Sequence, residues 1–170
     1  RLDQYCQTLE ELGGLNPTSD SALSILRHAQ RHGEDLRASD LITGCPMAVW
    51  DRGDLLRQGE LCVCSGGRRK KTGVRHVFLY QNYIIFTKHK TPNPGCSVFS
   101  FKHSIKTGEM GLTQSVGEDG LRFEVWVRQA SRTRDCLTLQ TSSVQERETW
   151  THDIAQLLWT HAMHNTGQSA

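Results

Sequence analysis

The chain has 170 residues, 36% hydrophobic and 22% charged, enough for one medium domain or a small domain plus part of another. Its 20 Lys/Arg and 18 Asp/Glu give a net charge of +2, and no apolar run approaches the roughly 20 residues of a membrane-spanning helix. Six scattered cysteines show no disulfide framework, so reduced thiols are expected. The start, Arg1-Leu2-Asp3-Gln4, lacks signal-peptide character and lies within an expected helix, which favours a segment cut from a longer protein.

Two helices are predicted in the first 42 residues. The apolar residues of the first recur at helical spacing: Leu2, Tyr5, Leu9 and Leu12. Gly13-Gly14 ends this run, and a turn at 16–20 precedes a second helix that extends toward Leu41. Because both apolar faces are incomplete, these helices are expected to need further partners for stability.

After Gly44-Cys45-Pro46 the hydrophobic period changes from 3.6 to 2, which predicts strands. Seven are expected, at 55–64, 74–80, 83–88, 97–102, 108–114, 121–128 and 136–140. Gln81-Asn82 is predicted to be a tight turn and Thr91–Gly95 a loop. The pattern favours an antiparallel barrel or sandwich.

A final helix is predicted to close one open end of this barrel. Ser143 and Glu146 have the spacing of a capping box, and the helix is expected to run to about residue 165. Its apolar stripe has the helical period: Trp150, Ile154, Leu157, Leu158 and His161. Trp150, which begins the stripe, is predicted to be a structural core residue.

Positive charge is concentrated in one part of the chain. From Leu61 to Lys106 there are nine Lys/Arg and no Asp or Glu, whereas the remainder has eleven Lys/Arg and eighteen acids. The densest run lies between the first two predicted strands and is followed by one more cation: Arg68, Arg69, Lys70, Lys71 and Arg75. This pattern predicts an anionic, phosphate-bearing partner. The alternative is an ordinary solvated loop.

Other site chemistries find little support in the sequence. Cys62 and Cys64 share a strand face and His28 and His32 a helix face, but neither pair has a second ligand pair at a finger-like interval, so no metal and no cofactor are predicted. No nucleophile–base motif or P-loop occurs, which predicts no enzymatic activity. Nucleic acid is not an expected partner, because the basic loop lacks interleaved aromatic residues. Trp126 is either a contact residue or a cover for the neighbouring hairpin.

Several segments resemble the pleckstrin homology (PH) domain of Dbl-family exchange factors for Rho GTPases, nearest to the puratrophin, Solo and Dbl's-big-sister group. The similar segments are Arg75–Lys88, Phe101–Thr107, Leu121–Trp126 and the position of Trp150. The likeness covers residues 52–164. It implies a mainly β fold, a seven-stranded antiparallel barrel or sandwich capped by a C-terminal helix and preceded by an α-helical segment.

The N-terminal part resembles the end of a Dbl homology domain at Arg1–Tyr5, Glu34-Asp35 and Ile42–Gly44. The resemblance implies that Gln4, Glu34 and Asp35 face the GTPase. The family usually has Lys where this chain has Gln4 and Asn where it has Glu34. The implied organisation is Dbl homology helices at 1–44, a linker at 45–54, the PH domain at 55–165 and a tail at 166–170. Gly44–Gly53 is expected to act as the hinge.

The resemblance implies a regulatory and targeting module. In the parent protein it would promote GDP/GTP exchange on a Rho-family GTPase, with weak contact to anionic phospholipid at a cytoplasmic, peripheral membrane location. The remaining exchange helices lie outside the chain, so these 170 residues are not expected to catalyse exchange alone. The alternative function is a protein-interaction scaffold without lipid binding.

Overall fold

The computed structural model describes residues 4–5, 7–8, 17–65, 71–128 and 136–167. The chain divides into two compact units, 1–40 and 41–170. In the first unit, helix α1 spans Pro17–Asp40. Pro17 suits the first helical position because the amide hydrogen it lacks would have no partner there. The predicted break at Gly13-Gly14 lies outside the described residues.

The second unit is built on one sheet. Its strands are β1 (Ile42–Thr43), β2 (Leu55–Ser65), β3 (Lys71–Tyr80), β4 (Tyr83–Asn93), β5 (Cys96–Lys106), β6 (Met110–Val116), β7 (Arg122–Val127) and β8 (Cys136–Gln140). A one-turn helix, α2 (Val49–Arg52), precedes β2, and helix α3 (Val144–Gly167) follows β8. The strand order is β1-β5-β4-β3-β2-β8-β7-β6, antiparallel except for the β1–β5 pair. The predicted fold class is confirmed.

The core lies between the sheet and α3. Inward residues alternate along the strands, and the largest of them are almost fully buried: Leu61, Leu79, Ile84, Met110, Phe123 and Leu139. Trp150 of α3 is 1% exposed and Ile154 is 0% exposed, so both belong to this core. Burial of such a large aromatic side chain removes much apolar surface from water and holds α3 on the sheet.

The start of α3 is capped by side chains. Ser143 Oγ accepts a hydrogen bond from the Glu146 amide at 3.1 Å. The Glu146 carboxylate accepts hydrogen bonds from the Ser142 amide at 2.9 Å and from its hydroxyl at 2.7 Å. The bond to Ser143 satisfies an amide that the first helical turn leaves without an intrahelical partner, and the Glu146 carboxylate reaches back to Ser142, the residue before the cap.

Several element boundaries differ from the sequence prediction. A short strand, β1, precedes the seven expected strands, β3 begins at Lys71 and not at 74, and β5 runs to Lys106 and not to 102. The expected loop at Thr91–Gly95 is mostly strand, because β4 continues to Asn93 and only Pro94-Gly95 forms the turn, with Gly95 at φ +80°. Pro92 is tolerated in the strand since it lies in an irregularity of the β4–β5 ladder, between Lys90 and Asn93. Residues Thr107–Glu109 form a 3₁₀ turn, so β6 begins at Met110 and not at 108.

The segment predicted to be a linker and hinge is folded onto the second unit. Ile42 pairs with Phe99, and α2 occupies Val49–Arg52. The Asn82 amide donates to the Arg52 carbonyl at 3.0 Å, and its side-chain amide donates to the Asp51 carbonyl at 2.9 Å. A hinge within Gly44–Gly53 would have to break these contacts. The domain boundaries at 44 and 54 stay predictions.

Candidate functional site

The predicted phosphate-binding loop lies mostly outside the described residues, which exclude 66–70. Arg75 is described and is half-buried on β3. Its Nη1 donates to the Val74 carbonyl at 2.9 Å, and the guanidinium lies against Gly73, where an added Cβ would be 3.1 Å from Nη1. The missing side chain at Gly73 therefore leaves room for the arginine to fold back along its own strand.

Two lysines that the sequence analysis did not single out extend the same surface. Along β4, Ile84 and Phe86 face the core, and Lys88 and Lys90 continue their alternating row as exposed residues. Arg75 likewise continues the core-facing row of β3, which contains Val77 and Leu79. The intervening His89 faces the other way and stacks on Phe99, with 5.1 Å between ring centroids. These rows place Arg75, Lys88 and Lys90 just beyond the core, at the end of the barrel that bears the β2–β3 loop.

The cations at this end lack acidic neighbours. Within residues 71–128 and the other described segments, no ion pair involves Arg75, Lys88 or Lys90. Lys106 differs, because it approaches Glu109 at 3.9 Å. Uncompensated cations raise the local positive potential, which favours an anionic ligand. We call the surface formed by Arg75, Lys88 and Lys90 the basic rim.

The predicted GTPase-facing residues lie in the first unit. Gln4 is helical and exposed, and its carbonyl accepts a hydrogen bond from the Thr8 hydroxyl at 2.9 Å. On α1, Glu34 is exposed and Asp35 is half-buried. As neighbours in sequence, they point about 100° apart around the helix axis. Their role toward a GTPase stays a prediction.

The thiols of the sheet are poor candidates for chemistry. Burial raises the pKa of Cys62, and the neighbouring Cys64 raises it further. Burial, together with the charge of Glu124, raises the pKa of Cys136 to about 11. Because the thiolate is the reactive form, both thiols are held in their less reactive state. No group of three or more potential metal ligands occurs in the part of the chain that the structure describes.

A cavity lies at the opposite end of β3 from the basic rim. It has a volume of about 520 Å³ and lies between α3 and the Gln81-Asn82 turn. His161 Nε2 is 3.0 Å from both the Gln81 carbonyl and the Thr107 hydroxyl, which ties α3 to this turn. His161 therefore has a structural role within the domain. Asp153, which lines the same cavity, forms an ion pair with Arg57.

Trp126, which the sequence analysis gave as either a contact residue or a cover for the neighbouring hairpin, lines an apolar groove beside α3. Trp126 pairs with Gly111 across β6 and β7, and a Cβ at Gly111 would overlap the indole ring. The indole therefore covers the neighbouring strand, as one of the two interpretations of Trp126 proposed. It is nevertheless 37% exposed, and Trp159 of α3, which lines the same groove, is 69% exposed. The sequence signal for this groove is that Trp126 and Trp159 fall outside the predicted pattern of core residues.

The antiparallel strands, the core behind them and the helix led by Trp150 define a PH domain. The profile of the family described as SOS1/NGEF-like PH domain matches residues 49–157. The chain belongs to this family, the PH domains of Dbl-family Rho guanine nucleotide exchange factors, which confirms the family predicted from the sequence.

Curated relatives agree with this assignment. Human Puratrophin-1 is 38% identical over 172 residues, covering 97% of this chain and 14% of the relative. Human pleckstrin homology domain-containing family G member 4B is 38% identical over 154 residues, covering 91% and 9%. Human proto-oncogene DBL is 29% identical over 171 residues, covering 92% and 18%. The chain thus spans less than a fifth of the length of these relatives.

Solved structures show the same fold. The crystal structure of human RhoA in complex with the DH/PH fragment of PDZRHOGEF matches with a TM-score of 0.59 at 14% identity, over 94% of this chain and 53% of that one. The apo structure of an activated truncation of Vav1 matches with a TM-score of 0.59 at 13% identity, over 92% and 45%. None of the described helices is long and apolar enough to cross a bilayer.

Proposed function

We propose that this chain is the regulatory and targeting module of a Rho guanine nucleotide exchange factor. In the parent protein it promotes GDP/GTP exchange on a Rho-family GTPase while its basic rim contacts anionic phospholipid at the cytoplasmic face of a membrane. Membership of the PH family supports the regulatory role. The single observation that supports the lipid contact is the uncompensated charge of Arg75, Lys88 and Lys90 at one end of the barrel.

The proposed contact is weak and electrostatic. Each Lys or Arg near an anionic leaflet contributes about 1 kcal/mol, and this attraction decays within a Debye length of roughly 8–10 Å at physiological salt. The basic rim, with the loop cations Arg68–Lys71, therefore gives reversible attachment that salt weakens. This lipid contact adds to the other interactions that hold the parent protein near its GTPase and does not replace them.

Sedimentation with phosphatidylserine-containing vesicles tests the lipid contact. The double variant Lys88→Ala/Lys90→Ala should bind several-fold more weakly than the wild-type chain, and the variant with Arg68–Lys71 all changed to alanine should lose binding. Arg37→Ala/Lys106→Ala is the matched control for the first, because it removes two exposed cations outside the basic rim. It should bind as the wild type does.

Equal weakening by the two double variants would mean that only overall charge matters, and the basic rim would not be the site. Unchanged sedimentation of the Arg68–Lys71 variant would end the lipid proposal. Raising the salt concentration supplies an independent check, because an electrostatic contact must weaken with it.

A further inference from the structure

Thr91 is the one serine or threonine of the 170-residue chain that is followed by proline. It lies near the tip of the β4–β5 hairpin, and both Thr91 and Pro92 are exposed. The proline ring clashes with a helical conformation of the residue before it, so Thr91 is held in extended backbone. A hydroxyl on an exposed, extended segment, directly before proline, has the local features that a proline-directed protein kinase requires of its substrate.

The backbone at this position contributes little to the fold. In the described β4–β5 hairpin, the pairing is irregular between Lys90 and Asn93, and the one registered pair between this irregularity and the turn is Asn93 with Cys96. Pro92 has no amide hydrogen to donate to the sheet. The last six residues of β4 are all exposed, so the tip can separate from the sheet without exposing the core.

The Thr91 hydroxyl forms no hydrogen bond with any described residue. Other threonines of the domain differ. Thr87, on the same strand, is buried and donates to the His76 carbonyl at 2.7 Å. Even the exposed Thr149 and Thr160 of α3 donate to carbonyls one helical turn earlier, at 2.7 and 3.0 Å. Thr91 therefore breaks no internal hydrogen bond when it presents its oxygen to another protein.

A phosphate on Thr91 would lie beside two lysines of the basic rim. Lys90 is adjacent in sequence and Lys88 is three positions earlier, and an extended chain spans at most about 3.6 Å per residue. Both lysines are therefore within roughly 11 Å of Thr91 along the strand, comparable to the Debye length of roughly 8–10 Å at physiological salt. A threonine phosphate carries a charge of roughly −1.5 to −2 at pH 7, which offsets the charges of the two lysines.

We propose that Thr91 is a phosphorylation site for a proline-directed protein kinase, and that its phosphate releases the basic rim from anionic phospholipid. The second half of this inference rests on the proposed lipid contact. The phosphate neutralises Lys88 and Lys90 and is itself repelled by the anionic leaflet, so both effects weaken the attachment.

The modification is a phosphoryl transfer from ATP. The kinase moves the γ-phosphoryl group to Thr91 Oγ, so a P–O bond forms there as the bond between that phosphorus and the ADP oxygen breaks. A carboxylate of the kinase takes the hydroxyl proton, and ADP leaves. This chain contributes the acceptor oxygen and the proline that identifies it.

Incubation of the 170-residue chain with ATP and purified proline-directed kinases, followed by mass spectrometry of its peptides, tests the site. We expect one phosphate, on Thr91. Thr91→Val keeps the branched side chain and should abolish this phosphate, whereas Pro92→Ala keeps the hydroxyl and should slow its phosphorylation several-fold. Absence of phosphate on Thr91, or equal rates for Pro92→Ala and the wild type, would overturn the site.

Thr113→Val is the matched control for Thr91→Val, because Thr113 is an exposed threonine of β6 that glutamine follows. This variant should be phosphorylated on Thr91 as fast as the wild type. Circular dichroism of each variant should show a folded domain, since all three changes are at exposed positions.

Sedimentation of the phosphorylated chain with phosphatidylserine-containing vesicles tests the effect on the basic rim. The phosphorylated chain should bind several-fold more weakly than the unphosphorylated chain, and treatment with a phosphatase should restore binding. Thr91→Glu supplies one carboxylate and should weaken binding in the same direction, but less. Thr113→Glu is its matched control, since it adds the same charge on a strand that carries no residue of the basic rim. It should bind as the wild type does.

The outcomes separate this inference from the proposed function. Equal sedimentation of the phosphorylated and unphosphorylated chains, with the wild type bound to the vesicles, would overturn the release. Equal weakening by Thr91→Glu and Thr113→Glu would mean that only net charge matters and would also overturn it. A wild-type chain that does not sediment would end the proposed lipid contact, and the release with it, whereas phosphate on Thr91 is detected by mass spectrometry without any vesicle.

Discussion

The guanidinium of Arg52 lies over the ring of Tyr80, with 5.7 Å between its central carbon and the ring centroid. Arg52 is only 4% exposed, and its Nη2 donates to the Met47 carbonyl at 3.2 Å. Its Nε and Nη1 have no hydrogen-bond partner among the described residues. The arginine thus holds the segment before β2 on the sheet, but its charge is poorly compensated.

Arg52→Met should therefore destabilise the domain less than Arg52→Ala. Methionine keeps an apolar side chain packed on Tyr80 and removes a buried charge with unsatisfied donors, so we expect a cost below about 1 kcal/mol. Alanine leaves a cavity, for which we expect about 2–4 kcal/mol. Urea denaturation of both variants measures the difference. Equal losses of stability would mean that the charge of Arg52 holds the segment before β2 in place, through its contacts with the Met47 carbonyl and the Tyr80 ring.

Gly53→Ala should destabilise the domain because Gly53 has both a special backbone conformation and a close neighbour. Its φ is +74°, and an added Cβ would lie 2.8 Å from the Gln81 side chain. We expect a loss of about 1–3 kcal/mol in the free energy of unfolding. Gly108→Ala is the control, since φ there is not in the left-handed region and nothing lies within 4 Å of an added Cβ. It should change stability by less than about 0.5 kcal/mol. Similar losses for both would contradict the conformational explanation.

Much of the fold could be predicted because its signals are local. Strand alternation, the change of period after Gly44 and the Ser143 cap all act within a few residues. The error at Thr91–Gly95 arose because two prolines there suggested a loop, whereas Pro92 lies at a ladder irregularity, which depends on pairing with β5. The contact between the Arg52 guanidinium and the Tyr80 ring could not be predicted from the local sequence pattern, because the two residues are distant in sequence.

The candidate sites were less predictable because their residues come together only when distant segments of the chain pack. The sequence identified Arg68–Lys71 as the densest run of positive charge, whereas Lys88 and Lys90 lie at the same end of the sheet as Arg75 because β4 runs past the core and keeps its alternation. The groove depends on Trp126 and Trp159, which lie 33 positions apart in sequence and meet only when α3 packs beside β7. Composition indicates an anionic partner, but only the packing shows the second surface.

Cys136 should react much more slowly with iodoacetamide than Cys96 at neutral pH. Burial and Glu124 raise the pKa of Cys136 to about 11, so little thiolate is present, whereas Cys96 is exposed at the β4–β5 turn. Mass spectrometry of the peptides measures both rates. Since the folded state holds this proton more tightly than the unfolded state, its contribution to stability is complete below about pH 9 and is lost as the pH rises toward 11. Equal labelling of the two thiols would contradict the assigned environment of Cys136.

Under the proposed function, restoring the usual family residues at two positions should speed nucleotide exchange by the parent protein. Gln4→Lys supplies a cation, and Glu34→Asn removes a carboxylate from an exposed position on α1. If both positions face the GTPase, the double variant should strengthen a contact made during exchange and raise the rate several-fold. Release of a fluorescent GDP analogue from RhoA measures it, using the parent's complete exchange and PH domains.

The matched control for this experiment is Arg37→Ala, which changes another exposed residue of α1 that the family resemblance does not assign to the GTPase. It should leave the rate unchanged. A faster rate in the double variant alone would support the assignment of Gln4 and Glu34. Identical rates for the wild type and the double variant would mean that the departures from the family pattern are harmless, and that these two side chains do not determine how the GTPase is held.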